Sequence, residues 1–245
     1  MKRDGFESLV LRTKRFFSKN GKANAVVGVS GGVDSALVCF ILAKALGGKN
    51  VFAFHLPYFK DGKAEGNAVR VASLCGTNFK KIPIRKTVDA AVVALGCGKD
   101  KVRKGNVMAR VRMLALYDFA RKNHALVAGT GNKTELKLGY FTKYGDGAAD
   151  VLPIGRLYKT QVRSLALQAG IPAEIVFQTP TAGLWKGQTD EGELGMGYAE
   201  LDGILDAAEK RGWGKASGEF GFKKTRVVLN RTRAFSHKRR LPAVL

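Results

Sequence analysis

The chain has 245 residues, 45% of them hydrophobic, enough for a sizeable core but in runs too short and interrupted to span a bilayer. Lysine and arginine number 42 against 20 aspartate and glutamate, a formal net charge of +22. So basic a balance favours anionic partners such as nucleic acid, a membrane surface or nucleotides, yet the cations are spread along the chain and do not choose among them.

The basic start, Met1-Lys2-Arg3, is followed by neither an apolar core nor a small-residue cleavage site, so a cytoplasmic protein without a membrane partner is expected. Cys39, Cys75 and Cys97 are odd in number and widely spaced, which excludes a paired-cysteine metal knuckle and a disulfide framework. They are expected as free thiols.

In chain order, 25–29 reads as a first strand, then a glycine turn, then a helix over 33–46 that is apolar almost all round and ends at Gly47-Gly48. Residues 51–56 predict strand two, 64–75 a helix and 79–84 strand three. A long helix follows over 106–123, with an apolar stripe at Val107, Val111, Leu114, Ala115 and Phe119. Residues 125–128 make strand four, closing on Gly129-Thr130-Gly131-Asn132. Beyond Asp150 come a helix over 157–169, a glycine-rich stretch over 179–197 and a helix over 198–210. The alternation predicts an α/β fold: a doubly wound parallel sheet of four or five strands with flanking helices and a helical C-terminal extension. One domain is expected, with a nucleotide-binding core over about 20–155 and the extension over about 156–245.

The most informative segment is Gly28-Val29-Ser30-Gly31-Gly32-Val33-Asp34-Ser35, between strand one and its helix. Glycines let backbone N–H groups approach an oxyanion, the helix N-terminus adds partial positive charge, and Ser30 and Ser35 offer hydroxyls. It is neither a Walker loop nor a dinucleotide fingerprint. An acid, Asp34, in an anion site makes sense if a cation such as Mg²⁺ bridges it to phosphates. An ordinary capped turn is the plainer alternative. The string resembles the pyrophosphate-binding loop of the ATP pyrophosphatase (PP-loop) family, with its adenine nucleotide alpha hydrolase-like fold. That family cleaves ATP between the α- and β-phosphates and adenylates a substrate oxygen.

Further stretches resemble the ammonia-dependent NAD synthetases within that group. They are Gly105-Asn106 through Arg110-Val111-Arg112-Met113, Gly129-Thr130-Gly131-Asn132-Lys133-Thr134-Glu135, the run Phe141-Thr142-Lys143-Tyr144-Gly145-Asp146-Gly147, Pro180-Thr181-Ala182-Gly183-Leu184-Trp185 with Gln188-Thr189-Asp190-Glu191, and His237-Lys238-Arg239. By position alone Glu135 is an exposed acid at a helix start; the resemblance makes it, with Asp34, a ligand of Mg²⁺. Arg110 and Arg112 flank their helix stripe and can both snorkel to the surface. The resemblance selects Arg110, with Lys143, Asp150, His237 and Lys238, for deamido-NAD. It implies ATP contacts from the loop 28–35, Thr130, Lys159 and Thr181. Lys159 opens a helix, where a cation is disfavoured, so a phosphate ligand would explain it. Asp146 is a candidate to take a proton from the attacking amine. His55 and His124 are expected to be structural.

The reaction so implied is ATP-dependent amidation of deamido-NAD with ammonia through an acyl-adenylate, giving NAD, AMP and pyrophosphate. Asp34, Glu135, Lys159 and Asp146 are the catalytic candidates, and a homodimer is implied. The length leaves no space for an ammonia-supplying amidase domain. The alternatives are a PP-loop enzyme modifying tRNA, which the charge suits but the unpaired cysteines do not, and a non-catalytic nucleotide- or RNA-binding protein.

Overall fold

The computed structural model describes residues 5–240, 242 and 244; the basic start, residues 1–4, lies outside them. Helix α1 (Phe6–Lys19) precedes β1 (Asn24–Gly28), α2 (Val33–Leu46), β2 (Val51–His55), α3 (Gly62–Cys75), β3 (Asn78–Lys81), α4 (Arg85–Ala94), α5 (Lys101–Lys122) and β4 (Ala125–Ala128). The four strands are parallel in the order β3-β2-β1-β4. An isolated parallel bridge between Ala128 and Val151 is all that extends the sheet beyond β4. The chain therefore winds outward from β1 to β3 and returns to the other side of β1. Such a reversal opens a crevice beyond the carboxyl ends of the two strands that flank it, here β1 and β4.

Both faces of the sheet are covered at β1, β2 and β4, which is why these strands are largely apolar and not alternating, whereas the edge strand β3 is polar and mostly exposed. On one face Ala25, Val27, Val51 and Ala53 pack with α1, α2, α7 (Lys159–Gln168) and α8 (Ala173–Val176). On the other, Val26, Phe54 and Val127 pack with α4 and α5. The all-round apolarity of α2 fits its place in this layered core, where nine of its residues are buried. It ends at Gly47, whose φ of +84° an L residue rarely adopts.

The helical extension is present. Helices α6 (Lys133–Leu138), α9 (Asp190–Leu194), α10 (Tyr198–Arg211), α11 (Trp213–Phe220) and α12 (Phe222–Ala234) surround a third cluster built from Leu138, Tyr158, Leu194, Tyr198, Leu201, Ile204, Leu205 and Val228. Among the described residues no helix is long and apolar enough to cross a membrane, and Cys39, Cys75 and Cys97 are free.

Several elements differ from the sequence expectation. Strand β3 ends at Lys81 because Pro83 has no N–H, although Ile82 and Ile84 still donate to the His55 and Pro57 carbonyls at 2.9 and 3.0 Å. Helix α5 begins at Lys101, ahead of the expected 106, because Asp100 caps it, accepting from the Val102 and Arg103 N–H groups at 3.0 Å. Helices α1 and α4 were not anticipated; α4 buries only Val88 and Val92, too little pattern to read.

Phe17, fully buried in the cluster that joins α1 to α2, ties the first helix to the sheet. Phe17→Ala is expected to lower the unfolding free energy by about 3–5 kcal/mol in a denaturant titration. A loss below about 1 kcal/mol would mean that α1 is not part of the cooperative unit.

Candidate active site

The loop after β1 continues the sheet by one residue, the Val29 N–H donating to Phe54 O at 2.8 Å. His55 Nδ1 donates to Val29 O at 2.9 Å, so this buried histidine serves the loop's shape. Ser35 Oγ donates to Gly32 O at 2.9 Å and accepts from Ser30 N at 3.2 Å, while Ser30 Oγ accepts from Gly32 N at 3.3 Å. Both hydroxyls are thus spent inside the turn, and the free donors are the backbone N–H groups opening α2, which no side chain caps. Gly31 has φ +92°, and a Cβ there would stand 2.3 Å from Ala64 O at the start of α3.

Asp34 lies in the first turn of α2, and Glu135 in the first turn of α6, just past β4. Lys159 opens α7 with a side chain only 4% exposed. The three converge. Lys159 Nζ forms an ion pair with Asp34 Oδ2 and stands 3.7 Å from Glu135 Oε1. Asn132 joins the two acids: its Nδ2 donates to Asp34 Oδ1 at 2.9 Å, its N–H donates to Glu135 Oε2 at 3.1 Å, and its Oδ1 accepts from Glu135 N at 3.0 Å. The last two contacts are a capping box, an Asn followed three residues later by Glu.

Burial alone would pull the Lys159 ammonium down, but Asp34 and Glu135 outweigh it and hold the pKa above the usual lysine value. Burial, reinforced by the Asp34 charge, pushes the Glu135 carboxyl up to about 8 against the pull of Lys159 and the Asn132 N–H. Two carboxylates, and the Tyr198 ring 5.1 Å away, thus accompany the cation at this helix start, in addition to the phosphate ligand that the sequence suggests for it. Asp34 and Glu135 each turn a carboxylate oxygen toward the Lys159 ammonium, and carboxylate oxygens are also the ligands that a hard divalent cation takes. Among the described residues, no group of three or more His, Cys, Asp or Glu forms a metal cage.

A cavity beside Glu135 is lined by Thr130, Gly131, Leu136, Phe141, Asp146, Gly147 and Leu152. Asp146 therefore shares a space with Glu135 and Thr130, its Oδ1 accepting from Thr142 N at 2.9 Å. A second group gathers around the loop 139–147. Arg110 reaches toward Lys143 O at 3.4 Å, Lys143 Nζ donates to His237 O at 3.1 Å, and Lys238 Nζ donates to Gly139 O and Phe141 O at 2.8 and 2.7 Å. Asp150 is turned to the sheet edge, where it accepts from Val127 N at 2.7 Å. Thr181 stands apart in an exposed stretch, its hydroxyl accepting from Gly183 N at 3.1 Å. Arg112 does not snorkel outward: it is half-buried and its Nε donates to Leu56 O at 3.0 Å, because its stripe edge faces the end of β2.

The sequence reading missed three residues here. Asn132 was legible as a capping box. Asp190 stands in the 188–191 motif, but its role shows only with Tyr198 and Tyr140, which donate to it at 2.8 and 3.2 Å; Asp202 was not legible, because it accepts from Thr134 and from Thr160 N on distant segments.

Residues 6–242 match the family model described as NAD synthase. The chain is 45% identical over 236 residues to an NH(3)-dependent NAD(+) synthetase from Hyperthermus butylicus, covering 94% of this chain and 85% of that one. It is 42% identical to the NH(3)-dependent NAD(+) synthetase of Archaeoglobus fulgidus, covering 98% and 96%. Among solved structures it resembles an NMN synthetase from Francisella tularensis (TM-score 0.86, 33% identity, 98% and 96% covered). It also resembles an NH3-dependent NAD synthetase from Campylobacter jejuni (TM-score 0.84, 29% identity, 98% and 96% covered).

Gly31→Ala drives a methyl group into the Ala64 carbonyl and strains a positive φ. It is expected to weaken ATP binding by at least roughly tenfold in calorimetry. Gly66→Ala, on α3 with open space around it, is the control expected to leave affinity unchanged.

Proposed function

Because the chain belongs to the NAD synthase family, and is thereby a ligase forming a carbon–nitrogen bond, we propose that it converts deamido-NAD, ATP and ammonia into NAD, AMP and pyrophosphate by the residues that meet at the β1–β4 crevice. The observation that carries this reading is the convergence of Asp34, Glu135 and Lys159 beside the uncapped start of α2.

Ammonia cannot usefully attack a resonance-stabilised carboxylate, so the nicotinate oxygen must first become part of a leaving group. In the first step a carboxylate oxygen attacks the α-phosphorus, the bond from that phosphorus to the bridging oxygen breaks, and pyrophosphate leaves. The α2 N–H groups and the Lys159 ammonium stabilise the charge on the departing oxygens. Asp34 and Glu135 would hold a magnesium ion, which would supply charge neutralisation on the triphosphate. In the second step ammonia attacks the acyl carbon of the adenylate, AMP departs and the nitrogen loses a proton. In this reading Asp146, which lines the cavity beside Glu135, receives it. No protein nucleophile is needed, because placement and electrostatics carry both steps.

In this reading Thr130 and Thr181 contact ATP with the loop 28–35, while Arg110, Lys143, Asp150, His237 and Lys238 hold the dinucleotide. Of these, Arg110, Lys143 and Lys238 now rest on the backbone carbonyls of Lys143, His237, Gly139 and Phe141, contacts that anionic phosphates can replace. The chain acts as a cytoplasmic homodimer, and the exposed Val102 and Leu114 of α5 offer apolar surface for the pairing. The tRNA-modifying and non-catalytic readings are not favoured.

Incubation with deamido-NAD, ATP, Mg²⁺ and ammonium is expected to yield NAD and AMP. Nicotinate mononucleotide, tested because of the likeness to an NMN synthetase, should be the poorer substrate. Glutamine in place of ammonium should give little product, and equal rates would overturn the nitrogen source. Asp34→Asn and Glu135→Gln should each lower turnover by at least roughly 100-fold while the thermal transition persists. Full activity in both would remove the assignment of these acids.

A further inference from the structure

Helix α10 carries two acids seven residues apart, Asp202 and Glu209, and an α-helix of that spacing places both on one face. Each spans the same pair of neighbours. Asp202 Oδ1 accepts from the Thr134 hydroxyl of α6, and its Oδ2 accepts from Thr160 N of α7 at 2.8 Å. Thr134 Oγ1 in turn accepts from Lys159 N at 3.0 Å. Glu209 repeats the span further along, pairing with Lys133 and accepting from the Tyr158 hydroxyl at 2.9 Å.

The residues so held flank the two side chains that matter. Thr134 precedes Glu135 and Thr160 follows Lys159. Asp202 is 5% exposed and Thr134 wholly buried, so their hydrogen bonds have no water to replace them. Glu209 is far more exposed, and its pairing with Lys133 contributes less. Neither acid touches the space between Asp34 and Glu135 through any hydrogen bond or ion pair of its own.

We propose that Asp202 is a positioning residue for the adenylating step, with α10 as a splint that fixes the separation of Glu135 and Lys159 from behind. The inference rests on the ligase reading above. It gives the C-terminal extension a task in the first half-reaction: the two groups facing the triphosphate start separate helices, and one buried carboxylate sets both helix starts. A displacement of about 1 Å at such a site costs up to about 100-fold in rate.

The test compares Asp202→Ala, Asp202→Asn, Thr134→Val and Thr134→Ser with the unmodified protein, using as a control Asp206→Asn, an acid of the same helix that pairs with Lys210. Three readouts are needed: kcat and KM for ammonium, exchange of labelled pyrophosphate into ATP in the presence of deamido-NAD without ammonia, and the melting temperature. In Asp202→Ala, exchange and kcat should fall together by at least roughly tenfold, with KM for ammonium within about twofold. Thr134→Val should follow it, while Thr134→Ser and, in part, Asp202→Asn restore the rate because they keep the hydrogen bonds. If Asp202→Ala fails to fold, the Thr134 pair decides. Unchanged exchange per folded molecule, with only the melting temperature lowered, overturns the splint and leaves a structural clasp. An unmodified protein that exchanges no pyrophosphate and makes no NAD overturns the ligase reading as well.

Discussion

An ammonium buried to 4% exposure must be matched by negative charge, and the geometry of this protein follows from how Lys159 meets that demand. Its two carboxylates come from helices that begin at opposite sides of the crevice, one after β1 and one after β4. The ion pair therefore closes the crevice at its centre. With the ammonium absent, Asp34 and Glu135 would face each other across a partly dehydrated gap, and the rise of the Glu135 carboxyl to about 8 records that repulsion together with its burial.

Around that centre the remaining parts serve as supports. The serines of the loop close on each other and on Gly32, leaving N–H groups as the outward donors. Asn132 uses its backbone and both ends of its side chain to keep the acids aligned. Tyr198 lays its ring near Lys159 while its hydroxyl binds Asp190, so a residue of α10 stands close to the ammonium without a charge of its own. The basic residues Arg110, Lys143 and Lys238 border the loop 139–147, whose Phe141, Asp146 and Gly147 line the cavity beside Glu135.

Much of this was legible in the sequence because its signals are local. The bounds of α2 follow from its apolar run and Gly47, the turn before it from its glycines, and β4 from four small or branched residues ahead of a glycine turn. The pairing of Asp34 with Glu135 needed the motif resemblance, since either acid alone reads as a helix-start residue. The burial of Arg112 was misread because a helix stripe shows which side is apolar and not what covers its edge. Asp202 gave no signal at all: an aspartate in mid-helix looks like a solvated charge until α6 and α7 are placed against it.

The residues of the central ion pair are 125 apart along the chain. Closing so long a loop costs chain entropy that grows only slowly with its length, and the crevice is complete only when the segments after β1 and β4 and the start of α7 have been brought together. Nucleotide affinity in this molecule is thus a report on the whole architecture: a ligand that binds here selects chains whose sheet, returning strand and C-terminal helices have all been assembled, and by mass action it draws the population toward them.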